Sequence, residues 1–395
     1  MKKLPLLSAA LLTAVSGCFS AYSQEANTDA PKLTFKPAGR VLFDGGVFMP
    51  NRNGFTDGVD MPDIRLGGTA SYGNFSAKLD IGYGMGSLSL KDVFMGYRIN
   101  QYNSFKLGYF VHQFGLNAAT SSSMKPTMIA PTSDTFFNAT GRNLGLGYLY
   151  DNNDWFLGVS LFASSQSLKM TGDQQGKISV GAMERLVWRP FHSDGNVVQV
   201  GISTWIQGAE HVDDDPVNDQ IHTSPGFFNY SASFPTKIDN VTMLRATVTN
   251  AKNVFKMTPE LVLAKDRFAL EGQYYYMNVN RAGDLHSYTA QGGYASFRAL
   301  LLGDSHYGYS HADAGLATPG PKTLECVLSY DYTDAYDSKA AILGGISNDY
   351  SVTFNYYLNK YVICRLRYNY TNQRAASFAP NRHVNMIQAR VMFKF

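Results

Sequence analysis

The sequence predicts an all-β fold, and within that class a transmembrane antiparallel β-barrel. Three observations lead there: an N-terminal export signal, side chains that alternate between apolar and polar along most of the chain, and the lack of a long apolar segment after the signal. The composition agrees, because only 16% of the 395 residues are charged, well below the roughly 25% of soluble domains. The 36 Gly, 25 Tyr and 25 Phe favour strands and tight turns over helices.

The N-terminus has the features of a secretory signal peptide. Lys2 and Lys3 precede an apolar run over 4–15, and small residues follow up to Ser23. A second interpretation stays open, since the residues before Cys18 also resemble a lipoprotein cleavage box, which would attach a lipid to Cys18. The predicted division is a signal peptide at 1–23, a short periplasmic segment at 24–36 and a barrel at 37–395.

The charge balance excludes a strongly basic surface on this protein that would bind an acidic partner. The chain has 34 basic and 31 acidic residues, and the signal would remove two of the lysines, so no nucleic-acid partner is expected. No stretch of 18 or more apolar residues follows the signal, so a transmembrane helix is not available. An exported chain that spans a membrane must then do so as a closed barrel, because closure satisfies every backbone group in lipid.

Alternation with a period of two is the main signal along the chain. In "NFSAKLDIGY" an apolar face runs from Phe75 to Tyr83, and a polar face runs from Asn74 to Asp80. In an outer-membrane barrel the apolar face contacts lipid and the polar face lines the lumen. Short periplasmic turns alternate with long outer connections in such barrels, and this chain offers tight turns at 100–103, 151–154, 192–196 and 358–360 against long connections at 113–140 and 208–239.

The scan gives seventeen candidate strands, whereas bacterial single-chain barrels have an even number. Counted from the N-terminus, the strand at 196–207 runs outward, and counted back from the C-terminus, the strand at 253–264 runs inward. These two strands can be neighbours across one outer loop only if "NVTMLRATV" (240–248) is not a wall strand. We therefore predict sixteen strands, with 208–252 as one long extracellular loop that contains an extended segment. The connection 303–321 is too long for a periplasmic turn, and the pattern does not explain it.

Four segments in order along the chain, 91–123, 301–309, 324–334 and 344–371, resemble the phosphate-selective porin O/P family of bacterial outer-membrane channels. The resemblance implies a sixteen-stranded barrel, a homotrimer, and a third outer loop that folds inward to narrow the pore; 113–140 matches that loop by position. It also implies basic side chains along the lumen that bind phosphate. In this chain the loop carries Lys125 alone, with His112 before it and Arg142 opening the next strand.

Alternation also predicts which basic side chains line the lumen. A row of them would supply positive potential for anions, whereas pairing with lumen acids such as Asp63, Asp80, Asp92, Glu325 and Asp331 would only brace the wall. The expected result is a weakly selective pore with a local positive patch, if Lys106, Lys125 and Arg142 converge. The candidate anion pathway is Lys106, Lys125, Arg142, Arg65, Lys78, Arg98, Arg365 and Arg367, with Arg298 and Arg390 also facing the lumen.

The function predicted is an outer-membrane porin for passive diffusion of small hydrophilic solutes, with an anion or phosphate preference from the resemblance. The alternative is a plugged or closed barrel with a structural or assembly role. The eight histidines lack metal-ligand spacing and no G-x-S-x-G elbow occurs, so we expect no enzyme, no cofactor and no metal. The acidic segment 211–219 fits a solvated loop better than a divalent-cation site. Expected partners are the lipid bilayer, lipopolysaccharide and small hydrophilic solutes or anions.

The C-terminal stretch "IQARVMFKF" places alternate residues from Ile387 to Phe395 in one lipid-facing stripe. This strand should pair with the first strand near 40–48, because a barrel in lipid tolerates no open edge. Phe395 resembles the signal recognised by the outer-membrane barrel assembly machinery. Cys326 and Cys364 fall on the thirteenth and fifteenth strands, separated by two steps of about 4.8 Å, beyond the roughly 7 Å reach of a disulfide; we expect free thiols facing lipid.

Overall fold

The computed structural model of the chain describes residues 31–49, 54–84, 86–121, 124–138, 141–164, 176–212 and 225–395. The predicted signal peptide and Cys18 lie outside the described residues, as does most of the acidic segment 211–219. Among the residues described, no helix has the length and apolar character needed to cross a membrane.

Sixteen antiparallel strands form one closed barrel, which confirms the predicted fold class and strand number. Each strand pairs with the next along the chain through a continuous ladder. The strands are β1 (Thr34–Met49), β2 (Ile64–Tyr72), β3 (Phe75–Gly84), β4 (Ser87–Arg98), β5 (Asn103–Val111), β6 (Arg142–Asp151), β7 (Trp155–Ala163), β8 (Val180–Ser193), β9 (Asn196–Gly208), β10 (Ala251–Lys265), β11 (Phe268–Arg281), β12 (Tyr288–Leu302), β13 (Thr323–Asp337), β14 (Ile342–Tyr357), β15 (Val362–Ala376) and β16 (Arg382–Lys394).

The last strand closes the barrel on the first. β16 pairs with β1 over ten positions, from Arg40 opposite Lys394 to Met49 opposite Asn385. The backbone of Phe395 exchanges two hydrogen bonds of 3.1 Å with Gly39, so the seam is bonded to its end. No backbone edge is left open to lipid at this seam, as the C-terminal pattern predicts.

Burial follows the predicted alternation. Along β16, Val391 is 48% exposed on the outer face, whereas its neighbours Arg390 and Met392 are 5% and 1% exposed on the inner face. Cys326 and Cys364 are free thiols on β13 and β15, as expected from the strand spacing.

The extended segment at 240–248 is not a wall strand, which confirms the strand count. Thr242–Thr249 pairs with Phe227–Ser233 in a separate two-stranded sheet. This hairpin packs against the loop after β5 and against β14. Its side chains join a large buried cluster together with wall residues such as Trp205, Tyr275 and Met277.

The loop after β5 folds into the barrel, as the family resemblance implies. It carries two short helices, α1 (Leu116–Ala119) and α2 (Thr132–Phe137). Phe136 and Phe137 are fully buried, and the ring of Phe137 stacks on Tyr275 of β11 with centroids 5.4 Å apart. We refer to residues 112–141 as the inner loop.

The long connection that the sequence left unexplained, 303–321, spans 303–322 in the structure. It also folds into the barrel, from the end where the turns are short. Tyr309–Ser310 pairs with Gly315–Leu316 in a small hairpin. Leu316 shares a buried cluster with Leu116 of the inner loop. A Cβ on Gly315 would lie 2.7 Å from Leu116 Cδ1, so the inner loop and this periplasmic insert meet in direct contact inside the barrel.

Candidate functional site: a basic cavity along the low wall

The strands differ in length around the barrel. β2 to β7 have 9 to 12 residues, and we call them the low wall. β8 to β16 have 13 to 16 residues, and we call them the tall wall. The two walls also differ in what their inward positions carry, and that difference locates the open part of the lumen.

Glycines occupy many inward positions of the low wall. Gly108 of β5 has φ +141°, and a Cβ there would lie 2.4 Å from the carbonyl oxygen of Val93, so only glycine fits. Gly147 of β6 faces the ring of Phe110, whose Cζ would be 3.1 Å from an added Cβ. Because these positions have no side chain, the lumen stays open along this wall.

A cavity of about 560 Å³ runs along the low wall. Its lining extends from Gly39 and Phe395 at the periplasmic end to Asn138 and Gly141 of the inner loop. The inner loop contributes Ala118 and its neighbours to the lining. Basic side chains outnumber acidic ones in the lining: Arg40, Arg65, Lys78, Lys106, Lys125, Arg142 and Lys394 against Asp80, Asp92, Asp134 and Asp313.

Most of these cations form ion pairs. Lys78 Nζ lies 3.1 Å from a carboxylate oxygen of both Asp80 and Asp92, and Arg142 Nε lies 2.8 Å from the other oxygen of Asp92. Arg65 is 3.2 Å from Asp63, which also pairs with Arg40. The pairing expected from the sequence for Asp63, Asp80 and Asp92 is therefore present, and it reduces the field of these cations in the cavity.

Lys106 differs from these residues. Within the part of the chain that the structure describes, it has no ion pair with a carboxylate; its ammonium instead lies 5.3 Å from the centre of the Phe94 ring. Phe94 and Phe110 both line the cavity, with ring centroids 5.9 Å apart at an interplanar angle of 71°. Lys106 is therefore a half-buried cation that borders the cavity and lies beside an aromatic ring.

The inner loop contributes the remaining central cation, Lys125. Its ammonium lies 3.8 Å from Asp134 of α2 and donates to the side-chain oxygen of Asn117. The Tyr275 hydroxyl donates to Asp134 at 3.0 Å, so the carboxylate is fixed from the wall. Lys106, Lys125 and Arg142 thus border one cavity, which is the convergence on which the predicted positive patch depends.

The other predicted pathway residues lie elsewhere. Arg98 is exposed at the end of β4 and does not line the cavity. Arg365 and Arg367 are 4% exposed and donate to backbone carbonyls, of Lys125 and Pro235 respectively. The transport role of every pathway residue stays a prediction.

The tall wall holds inserted protein where the low wall holds the cavity. Lys256 donates to the carbonyl of Phe137 at 2.9 Å, and Arg185 to that of Ala314 at 2.9 Å. Arg390 donates to the carbonyl of Met128 and forms two 2.6 Å bonds with Asp44. Together with the bond from Arg367 to the carbonyl of Pro235, these contacts show that interior cations of the tall wall anchor the backbone of all three inserted segments.

Arg40, Asp313 and Phe94 are among the lining residues that sequence reasoning missed. Arg40 precedes the part of β1 with clear alternation, and Asp313 lies in the unexplained connection, so neither had a local signal. Phe94 is an aromatic residue at an inward position, which follows from its pairing opposite Gly108 and Lys78; a register shift in β4 between its pairs with Leu79 and Ile81 disturbs the alternation there.

The comparisons with known proteins agree with this architecture. The family model described as phosphate-selective porin O and P matches residues 48–395. A comparison with curated protein sequences finds no significant match. Similar solved structures include the trimer form of OmpT, an outer membrane protein of Vibrio cholerae (TM-score 0.56, 10% identity, covering 93% of this chain and 100% of that chain), and the anion-selective porin from Comamonas acidovorans (TM-score 0.55, 11% identity, 92% and 100%). OmpF of Salmonella typhi is also similar (TM-score 0.53, 12% identity, 94% and 100%).

Proposed function

Since this chain belongs to the phosphate-selective porin O and P family and is an outer-membrane porin, we propose that small anions diffuse passively along its low-wall cavity. The proposed pathway consists of Lys106, Lys125, Arg142, Arg65 and Lys78. The preference for anions is moderate, because carboxylates neutralise most of these cations. The named anion selectivity of a similar porin and the family description support this proposal.

One observation carries the proposal: Lys106 is an interior cation that borders the cavity and has no carboxylate partner among the described residues. In a narrow lumen, a fixed charge at the wall raises the local concentration of the opposite ion. The paired cations contribute less, because each has a counter-charge within 4 Å. Among the cations carried by the strands of the low wall, Lys106 therefore has the largest share of the selectivity.

The test is the reversal potential of the pore in a planar bilayer under a potassium chloride gradient. The native protein should favour chloride, Lys106→Gln should lower that preference, and Lys106→Glu should reverse it or bring it close to zero. Lys125→Glu should act in the same direction and should relieve block by inorganic phosphate. Lys265→Gln, which removes an exposed lysine outside the cavity, is the matched control. A native pore that prefers potassium would refute the anion preference.

A second candidate function is a closed barrel with a structural or assembly role in the envelope. The inserted segments along the tall wall favour it, because their aromatic residues form a dry cluster with the wall. A folded protein that gives no conductance in the bilayer would support this candidate and exclude the pore. The low-wall cavity favours the pore.

We also propose that the protein acts as a homotrimer and contacts lipopolysaccharide in the outer leaflet. A solved structure with a similar fold that is described as a trimer supports the first statement.

Phe395, which packs beside Phe393 with ring centroids 6.1 Å apart, is the proposed signal for the barrel assembly machinery, so its deletion should reduce insertion. Diffusion through the pore makes and breaks no bonds, and we propose no enzymatic activity. The signal peptide at 1–23, periplasmic segment at 24–36 and extracellular loop at 208–252 remain predictions from the sequence.

A further inference from the structure

The low-wall cavity combines a lysine with aromatic rings, and this combination narrows the class of solute. We propose that the site around Lys106 prefers organic anions, which carry an aromatic or apolar group beside the charged group, to inorganic anions that have the charged group alone. The inference rests on the proposed function, since it concerns the same cavity. It adds a second recognition element to the positive charge: the half-buried ring of Phe94, which the buried ring of Phe110 supports from the neighbouring strand.

The first step of the argument is the position of the two rings. Phe94 lies on β4 and Phe110 on β5, and both contribute to the cavity lining. Their edge-to-face contact, at 5.9 Å and 71°, fixes their relative orientation. Gly147 beside Phe110 and Gly108 beside Phe94 leave room for the rings on the inner wall. The aromatic surface is therefore built by the local sequence of adjacent strands.

The second step is the inner-loop surface that borders the same cavity. α1 directs Leu116 into the buried cluster with Leu316, while Ala118 and Ala119 line the cavity. Methyl groups of the loop and rings of the wall thus belong to one lining. This surface makes no strong hydrogen bonds to the hydration shell of an inorganic ion, but it can be covered by the apolar part of an organic one.

The third step is the chemistry of the lysine. The Lys106 ammonium lies 5.3 Å from the Phe94 centroid, within the range of a cation–π contact. An anionic head group can pair with the free side of the ammonium while its organic part packs on the ring beside it. Inorganic phosphate can use only the first of these contacts. An aromatic monophosphate can use both, so it should bind more tightly.

The experiment compares block of the chloride current by phenyl phosphate and by inorganic phosphate, at one pH and ionic strength. In the native pore, phenyl phosphate should half-block at a concentration about three- to tenfold lower, the range that one aromatic contact supplies. Phe94→Ala should bring the two half-blocking concentrations together while leaving that of inorganic phosphate within about twofold, since one ring contact is lost and the charge remains. Phe94→Tyr should restore the difference. Phe105→Ala, which removes a phenyl ring from the exposed outer face of the neighbouring strand, is the matched control.

Two results would overturn the inference while the proposed function stands: equal block by both phosphates in a native pore that favours chloride, or the same loss of discrimination in Phe94→Ala and Phe105→Ala. A pore without chloride preference would instead refute the proposed function. Heat-modifiable migration of each variant on a gel shows that its barrel is folded, so a change in block reports on the cavity.

Discussion

The low wall and the tall wall of this barrel follow the same alternation but contain different interiors. The low wall has inward glycines such as Gly108 and Gly147, and the cavity lies along it. The tall wall has large buried inward side chains such as Trp205, Tyr275 and Arg185, and inserted protein packs on it. The difference shows that inward side-chain size and inserted segments, not strand number alone, decide where a barrel of this size is open.

One interior cation of the tall wall and one of the low wall differ in their charge partners. On the tall wall, Arg185 pairs with Glu260 in two bonds of 3.0 and 2.7 Å, and both side chains are fully buried. On the low wall, Lys106 has its ammonium at the cavity and no such partner among the described residues. The inward Arg185 of the tall wall therefore braces the interior, whereas Lys106 of the low wall borders the cavity without an ion pair among the described residues.

The largest expected effect comes from filling the low-wall cavity. Gly147→Trp places an indole in the space beside Phe110, and single-channel conductance should fall by more than half because the proposed ion path follows this cavity. Leu146→Trp, which changes the neighbouring lipid-facing residue, should leave conductance unchanged. Equal conductance of the two variants would break the comparison between the walls.

The next effect separates the roles of the two kinds of cation. Arg390→Met leaves the buried Asp44 carboxylate without its partner, which costs about 3–5 kcal/mol, so the temperature of heat-induced unfolding should fall clearly. Lys106→Gln should shift the reversal potential with little loss of thermal stability. The measurements are the thermal unfolding temperature in detergent and the reversal potential, taken for both variants. The assignment would be contradicted if each variant changed the unfolding temperature and the reversal potential to the same extent.

A smaller effect is expected at the contact between the inner loop and the periplasmic insert. Gly315→Val places methyl groups where Leu116 Cδ1 now lies, so the inner loop must shift. Because α1 also borders the cavity, the open-channel current should become noisier, while the barrel itself stays folded. The measurement is the noise of the open-channel current, and Ala317→Val, two residues away on the same insert, is the control. A Gly315→Val channel with no more noise than the native channel would show that this contact does not hold the inner loop in place.

The smallest effect concerns Asp313 at the tip of the periplasmic insert. Burial raises the pKa of this carboxyl above its usual range, so it takes up a proton at a higher pH than an exposed aspartate. As the pH falls through that pKa, the cavity loses one negative charge, and the preference for chloride should increase. Asp313→Asn should have the higher preference at neutral pH and should lose this part of the pH dependence of the reversal potential.

The sequence predicts the wall well and the site only in part, for a physical reason. The face on which a strand residue lies is a local property. Alternation therefore predicts the lipid-facing stripe and the pairing of β1 with β16, and counting strand directions predicts that 240–248 is not a wall strand. Which inward cation meets water depends on distant insertions. Arg365 and Lys125, for example, are in contact across 240 positions of the chain, and no local pattern announces that contact. The inward glycines of "RNLGLGYL" are a signal for the open wall that can be recognised in the sequence.

The most direct test of the central claim, that the ion path follows the low wall, is cysteine accessibility in the open pore. In a background where Cys326 and Cys364 are replaced by Ser, Lys106→Cys and Gln199→Cys place one thiol on the inner face of each wall. Gln199 is fully buried and donates to the carbonyl of Ala314 at 3.0 Å. A charged methanethiosulfonate reagent should modify Lys106→Cys rapidly and change its conductance, while Gln199→Cys should not react. Rapid modification of Gln199→Cys with Lys106→Cys unreactive would place the path along the tall wall and contradict the account.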